Sequence, residues 1–205
     1  MPLICLFLAI LLQGAKSESN TWIDLFNGKN YTGFKFYIAA GPENTFDVKD
    51  ECLYIKGPLA GYVYTKAKYR NYELKYEWKF ERPENLASDE VFKGGSGVLL
   101  HITRILKQWP QSIEVDGRYQ DVGKMNVYGK AQGEFQDYPD ARRKSMKKVG
   151  EWNSTVIGSN DGKIEVRVNG HLVSQGTTDQ REGFIGFQAK GTNILYRNIK
   201  LRVLE

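Results

Sequence analysis

The chain has 205 residues, 41% of them apolar, and a formal net charge of +5. That length suits one domain with a full core rather than a disulfide-stapled scaffold, and only Cys5 and Cys52 are available for pairing. There is no P-loop, no dinucleotide-binding fingerprint and no apolar run long enough to span a bilayer as a helix.

Leu3 to Leu12 is an apolar run of signal-peptide length, followed by the small-x-small pattern Ala15-Lys16-Ser17. Residues 1–17 are therefore expected to be a cleaved leader and 18–205 a single exported domain, secreted or periplasmic, with no membrane span after cleavage. Cleavage would leave Cys52 alone, in a stretch (Glu51 to Ile55) where a small buried hydrophobe is expected. Strands are predicted at Thr45 to Val48, Leu53 to Lys56 and Tyr62 to Thr65. Tyr72 to Phe80 alternates, with Tyr72, Leu74, Tyr76, Trp78 and Phe80 on one face and Glu73, Lys75, Glu77 and Lys79 on the other. Glu81 to Gly95 is polar and irregular, and Ser96 to His101 reads as a strand.

In Ser112 to Tyr119, alternation places Ser112, Glu114, Asp116 and Arg118 on one face and Ile113 and Val115 on the other. Such a face is either a solvated salt-bridge ladder or the floor of a polar groove. Gly117 to Gly150 is expected to be a long loop. Its basic cluster, Arg142-Arg143-Lys144 with Lys147-Lys148, reads as a solvated segment, and no nucleic-acid motif accompanies it. Lys163 to Val168 alternates again, and Asn169-Gly170 is a strong hairpin signal leading into an exposed His171. Gly183 to Gln188 and Ile194 to Leu204 close the series. With no long amphipathic helix and no internal repeat, the chain reads as an all-β sandwich or jelly roll.

His101 and His171 are the only imidazoles, and their contexts do not support a two-histidine metal site. A mixed divalent-metal site of His101, Glu114 and water stays open, with no cofactor otherwise indicated. No nucleophile elbow announces a Ser-His-Asp hydrolase. Ordinary glycosidases need two carboxylates approaching the bond from different sides, whereas Glu114 and Asp116 share a face. Sandwich-fold glucanases commonly place three acidic residues two apart on one strand, and here the third position is Arg118.

Several short stretches, in order, resemble the family of 3-keto-disaccharide hydrolase domains, which has a concanavalin A-like sandwich fold. They are Asp24 to Asn30, Gly95 to His101, Ile113 to Asp116, Gly150 to Asn153, Val168 to Gly170, Gly186 to Gln188 and Tyr196 to Ile199. The chain departs from the family pattern at Gly95, Asp116 and Lys190, where Asn, Gln and His are customary. The resemblance implies action on carbohydrates oxidised at C3, by proton removal at C2, loss of the C1 substituent and hydration. It implies Glu114 as base or metal ligand and His101 as acid/base or ligand. Asp116, Arg118 and Lys190 would position substrate or stabilise charge, and Gln188 would hydrogen-bond sugar. Arg197 shares an alternation face with Ile199, Leu201 and Val203, as either a buried structural pair or a substrate-facing arginine. The alternative function is a non-catalytic carbohydrate-binding module, for which Trp109, Tyr119, Tyr128 and Tyr138 are candidate aromatic platforms.

Overall fold

A computed structural model of the chain describes residues 21–40, 45–57, 60–104 and 109–205. The expected leader lies outside the described residues. The strands are β1 (Ile23–Asp24), β2 (Phe34–Ala40), β3 (Phe46–Lys49), β4 (Cys52–Ile55), β5 (Ala60–Thr65), β6 (Tyr72–Phe80), β7 (Gly97–Arg104), β8 (Gln111–Asp116), β9 (Met125–Tyr128), β10 (Gly133–Asp137), β11 (Asn153–Asn160), β12 (Lys163–Val168), β13 (His171–Thr178), β14 (Phe184–Lys190) and β15 (Ile194–Val203), joined by a 3-10 turn (Asp89–Val91) and a short α-helix, α1 (Pro139–Ser145), among the described residues. They form two antiparallel sheets packed as a jelly roll. The larger runs β10-β13-β12-β11-β6-β15-β4-β3 with β1 added beside β15, and the smaller runs β2-β5-β14-β7-β8-β9.

The alternation of β6 and β12 decides which side of the large sheet faces inward. Tyr72, Leu74, Tyr76, Trp78 and Phe80 are buried while the residues between them are not, and Ile164, Val166 and Val168 repeat the pattern. These side chains meet Val63, Val98, Leu100, Ile113, Val115, Ile185 and Phe187 of the small sheet in one continuous core. At about 25 cal/mol per Å² of apolar surface removed from water, this layer is the main source of stability. Asn169 (φ 47°) and Gly170 (φ 85°) both take positive φ, as the two-residue turn between β12 and β13 requires. Cys52 is buried, as expected.

The segment 117–150 differs from the expected loop. It contains β9, β10 and α1, and Arg142 of the basic cluster is buried, donating through Nε to the Val122 carbonyl (2.8 Å) and pairing with Asp137. Among the described residues no helix is long and apolar enough to cross a membrane.

Candidate active site

On β8, Ile113 and Val115 enter the core between the sheets, so Ser112, Glu114 and Asp116 occupy the outer face of the small sheet. That face is not solvated. Glu114 is 0% exposed and Asp116 1% exposed, so an ordinary surface ladder is ruled out. A carboxylate taken out of water is costly unless it is hydrogen-bonded or paired. The neighbouring edge strand β9 supplies the donors. Glu114 pairs with Asn126 across the strands, and Ser112 with Tyr128. Tyr128 Oη donates to Glu114 Oε2 at 2.8 Å and Asn126 Nδ2 donates to the same oxygen at 3.2 Å. Burial, and then the bond to Glu114, push the Tyr128 phenol well above its usual range, so it holds Oε2 as a permanent donor.

The other oxygen, Oε1, faces a different environment. Lys190 Nζ, from the end of β14, lies 3.4 Å from it. Strand β7 runs between β8 and β14, and it carries Leu99 opposite Glu114 and Gly97 opposite Asp116. A Cβ at Gly97 would lie 2.9 Å from Glu114 Oε1 and 2.6 Å from Gln188 Oε1. The missing side chain therefore leaves room for two oxygens, which converge above Gly97 as the floor of a notch. Gln188 is only 2% exposed, and its Oε1 is buried without a hydrogen-bond partner.

Trp109 roofs the group. Its ring stacks on Tyr128 with centroids 5.1 Å apart, and the Lys190 ammonium lies 5.4 Å from its centroid. It is 37% exposed. The next residue along the chain is tied to β8, because Ser112 Oγ donates to the Pro110 carbonyl at 3.0 Å.

Asp116 is fully occupied close by. Its Oδ1 accepts the Arg118 backbone N–H (2.8 Å) and its Oδ2 accepts Arg118 Nε and Nη2 (3.0 and 2.8 Å). Arg118 also contacts Asp121 at 3.2 Å. Gly95 leaves room for this clamp, since a Cβ there would lie 3.0 Å from Arg118 Cγ and 3.8 Å from Lys190 Cδ. Gly95, Asp116 and Lys190 thus lie together around the Arg118 and Lys190 side chains.

His101 is not brought to this group. It takes φ 54° at an irregularity in β7 pairing, and its ring turns into the layer between the sheets. There Nδ1–H donates to the Gln180 carbonyl (2.5 Å), Nε2 accepts from Ser159 Oγ (3.2 Å), and Tyr72 packs edge-on. Burial holds its imidazole down at about 4, neutral at ordinary pH. A His101–Glu114 metal site does not fit, because the two side chains lie on opposite faces of the small sheet. Among the described residues no group of three or more His, Cys, Asp or Glu could hold a metal ion.

Arg197 is also elsewhere. It pairs with Glu77 (2.6 Å) and lies 3.9 Å above the Trp152 ring on the outer face of the large sheet. A register shift between Arg197 and Lys200, with Asn198 at φ 51°, reverses the alternation there, so Ile199 and Leu201 are buried and Arg197 is not. The arginine is a structural pair, but a partly exposed one. Of the four aromatic candidates, Trp109 and Tyr128 meet at Glu114. Tyr119 donates to the Lys147 carbonyl and Tyr138 to Gln136, both away from the group.

Asn126 and the role of Gly97 were not foreseen. Asn126 lies on a strand the sequence pattern did not reveal, and a glycine's use as a gap appears only when its neighbours are known.

Fold and site together define a class: a jelly-roll sandwich with an outward-facing but buried carboxylate, held by donors on the smaller sheet. Residues 21–202 match the model of the 3-keto-alpha-glucoside-1,2-lyase-like domain, and the chain belongs to that family. It is 24% identical over 238 residues to a 3-keto-disaccharide hydrolase of Bacteroides thetaiotaomicron, covering 92% of this chain and 80% of that protein. A crystal structure of a candidate glycosyl hydrolase from Parabacteroides distasonis superposes with a TM-score of 0.64 at 21% identity, over 90% of this chain and 94% of the other. The carbohydrate-binding module CBM66 of Bacillus subtilis gives 0.57 at 10% identity, over 83% and 96%. At these identities both structures speak for the fold alone.

Proposed function

We propose that this chain is an exported, carbohydrate-active enzyme that cleaves 3-keto-glycosides by elimination and hydration. A ketone at C3 acidifies the proton on C2. Glu114 Oε1 removes that proton, and the C–H electron pair moves toward C3 as an enolate. Lys190, already beside Oε1, is the cation placed to stabilise that charge. Collapse of the enolate restores the C3 carbonyl, forms the C1–C2 double bond and breaks the bond from C1 to the leaving oxygen, which takes a proton. Water then adds, hydroxyl to C1 and hydrogen to C2, giving a 3-keto sugar and the free alcohol. The lyase of the family description and the hydrolase of the relative's name correspond to the two halves of this sequence.

One observation carries this reading. A buried carboxylate has one oxygen fixed by two donors and the other directed at a side-chain-free notch beside a lysine. Asp116 and Arg118 act as a mutual clamp at the edge, Gln188 as a substrate contact, while His101 and Arg197 serve the scaffold. The reaction needs one base here, so the absence of a second free carboxylate is no obstacle.

The experiment compares alcohol release from a 3-keto-glucoside and from the matching plain glucoside. Release from the 3-keto compound alone, reduced at least 100-fold in Glu114→Gln, is expected from the typical worth of a general base. Equal release from both compounds, or full activity in the variant, contradicts the proposal. The exposed Trp109 stacked on Tyr128 favours a second reading, a sugar-binding module. That reading predicts binding of plain glycosides with no release from either.

A further inference from the structure

The notch above Gly97 carries information about the substrate that the base alone does not supply. We infer that Gln188 reads the hydroxyl on the carbon that loses its proton, so that the substrate must carry a free C2 hydroxyl. The inference rests on the 3-keto-glycoside reading of Glu114.

The argument starts from an unsatisfied atom. Gln188 Oε1 is buried without a partner, although buried amide oxygens are nearly always hydrogen-bonded. A carbonyl oxygen only accepts, so whatever satisfies it must bring a donor. The same atom lies 2.6 Å from the point where a Gly97 Cβ would sit, and Glu114 Oε1 lies 2.9 Å from that point. Two acceptors therefore converge on one small space. In a sugar oxidised at C3, the C2 carbon presents two hydrogens of the required kinds, an acidic C–H and an O–H. With C2 seated above Gly97, beyond the point that a Cβ could not occupy, the C–H is directed to Glu114 Oε1 and the O–H to Gln188 Oε1.

The placement is built into the scaffold. Gln188 follows Phe187, which is anchored in the core and pairs with Val98 on β7. The Gln188 backbone carbonyl accepts from Ser96 Oγ at 2.7 Å, and Ser96 also contacts Tyr196 Oη at 2.8 Å. Backbone and side chain of Gln188 are thus set from opposite faces, the first by the core and the second by the notch. Gln188 is a positioning contact: it takes no proton but fixes which bond of C2 faces the base.

The test is a substrate-by-variant cycle on the full chain. Kcat/KM is measured for a 3-keto-glucoside and its 2-deoxy analogue, with wild type and Gln188→Leu. Wild type is expected to favour the hydroxylated substrate roughly 10- to 100-fold, the usual consequence of leaving a buried acceptor unpaired. In Gln188→Leu the ratio should fall to near one. Thermal unfolding without substrate gives an independent readout. Removing an unpartnered buried oxygen should leave the melting temperature of Gln188→Leu unchanged or raised. Equal discrimination in wild type and variant overturns the inference, as does a wild type that accepts both substrates equally. A melting temperature several degrees lower in the variant also overturns it, because the oxygen would then have a partner in the free protein. Wild type turning over neither compound would instead sink the reading of Glu114, and this inference with it.

Discussion

Position 97 matters through what it lacks. Gly97→Ala would press a methyl group against Glu114 Oε1 and Gln188 Oε1, the ends of two flexible side chains rather than backbone. The fold should therefore survive while the notch fills. We expect a melting temperature within a few degrees of wild type and kcat/KM on a 3-keto-glucoside lowered at least tenfold. Tyr128 matters through a single donor. Tyr128→Phe removes one of two hydrogen bonds to a buried carboxylate oxygen. A stability loss of about 1–3 kcal/mol in urea unfolding should follow, together with reduced activity. His101 contributes a pH dependence remote from catalysis. Burial depresses its folded value to about 4, against 6.5 in the unfolded chain. The unfolded state therefore takes up the proton first as pH falls. The stability from burying a neutral imidazole is present in full above about 6.5 and is lost progressively down to about 4, by up to roughly 3 kcal/mol. His101→Phe should flatten this part of the stability–pH curve, and an unchanged slope would show that other groups set it.

At the scale of elements, alternation was the legible signal wherever strands keep strict pairing. It placed the faces of β6, β12 and β8, including the shared side of Ser112, Glu114 and Asp116. It misled where a strand carries an irregularity. A single residue at positive φ, His101 in β7 and Asn198 in β15, changes the side on which the following residues fall. No periodicity reports such a residue in advance. In β7 the bend is supported from across the sheet, because a Cβ at Gly183 would lie 2.3 Å from the His101 backbone carbonyl carbon. Gly183→Ala should accordingly destabilise the protein by roughly 1–3 kcal/mol, the usual range for overpacking, as measured by thermal unfolding. The strands β9 and β10 were hidden for another reason. They are four and five residues long and almost wholly partly or fully exposed, and β10 is mostly polar, so neither apolar alternation nor length distinguished them from the surrounding loop. With β9 went the donors that hold Glu114.

For the whole molecule, the two sheets divide their labour. The layer between them is apolar and carries the stability, with His101 and Ser159 as a satisfied polar pair inside it. The outer face of the small sheet instead buries a carboxylate, its donors and an unpartnered amide oxygen, an arrangement that costs stability unless a ligand uses it. The order of short motifs along the chain was enough to indicate the family. That Gly95, Asp116 and Lys190 lie together in space was not legible from that order.

The central claim is that Glu114 removes a proton from C2 before the C1 bond is lost. Turnover of a 3-keto-glucoside in deuterium oxide, sampled early by NMR or mass spectrometry, tests it most directly. Elimination followed by hydration predicts a 3-keto sugar carrying one solvent deuterium at C2, formed faster than any uncatalysed exchange of that position. A product that retains its original hydrogen at C2 would mean direct hydrolysis at C1 and would contradict the account.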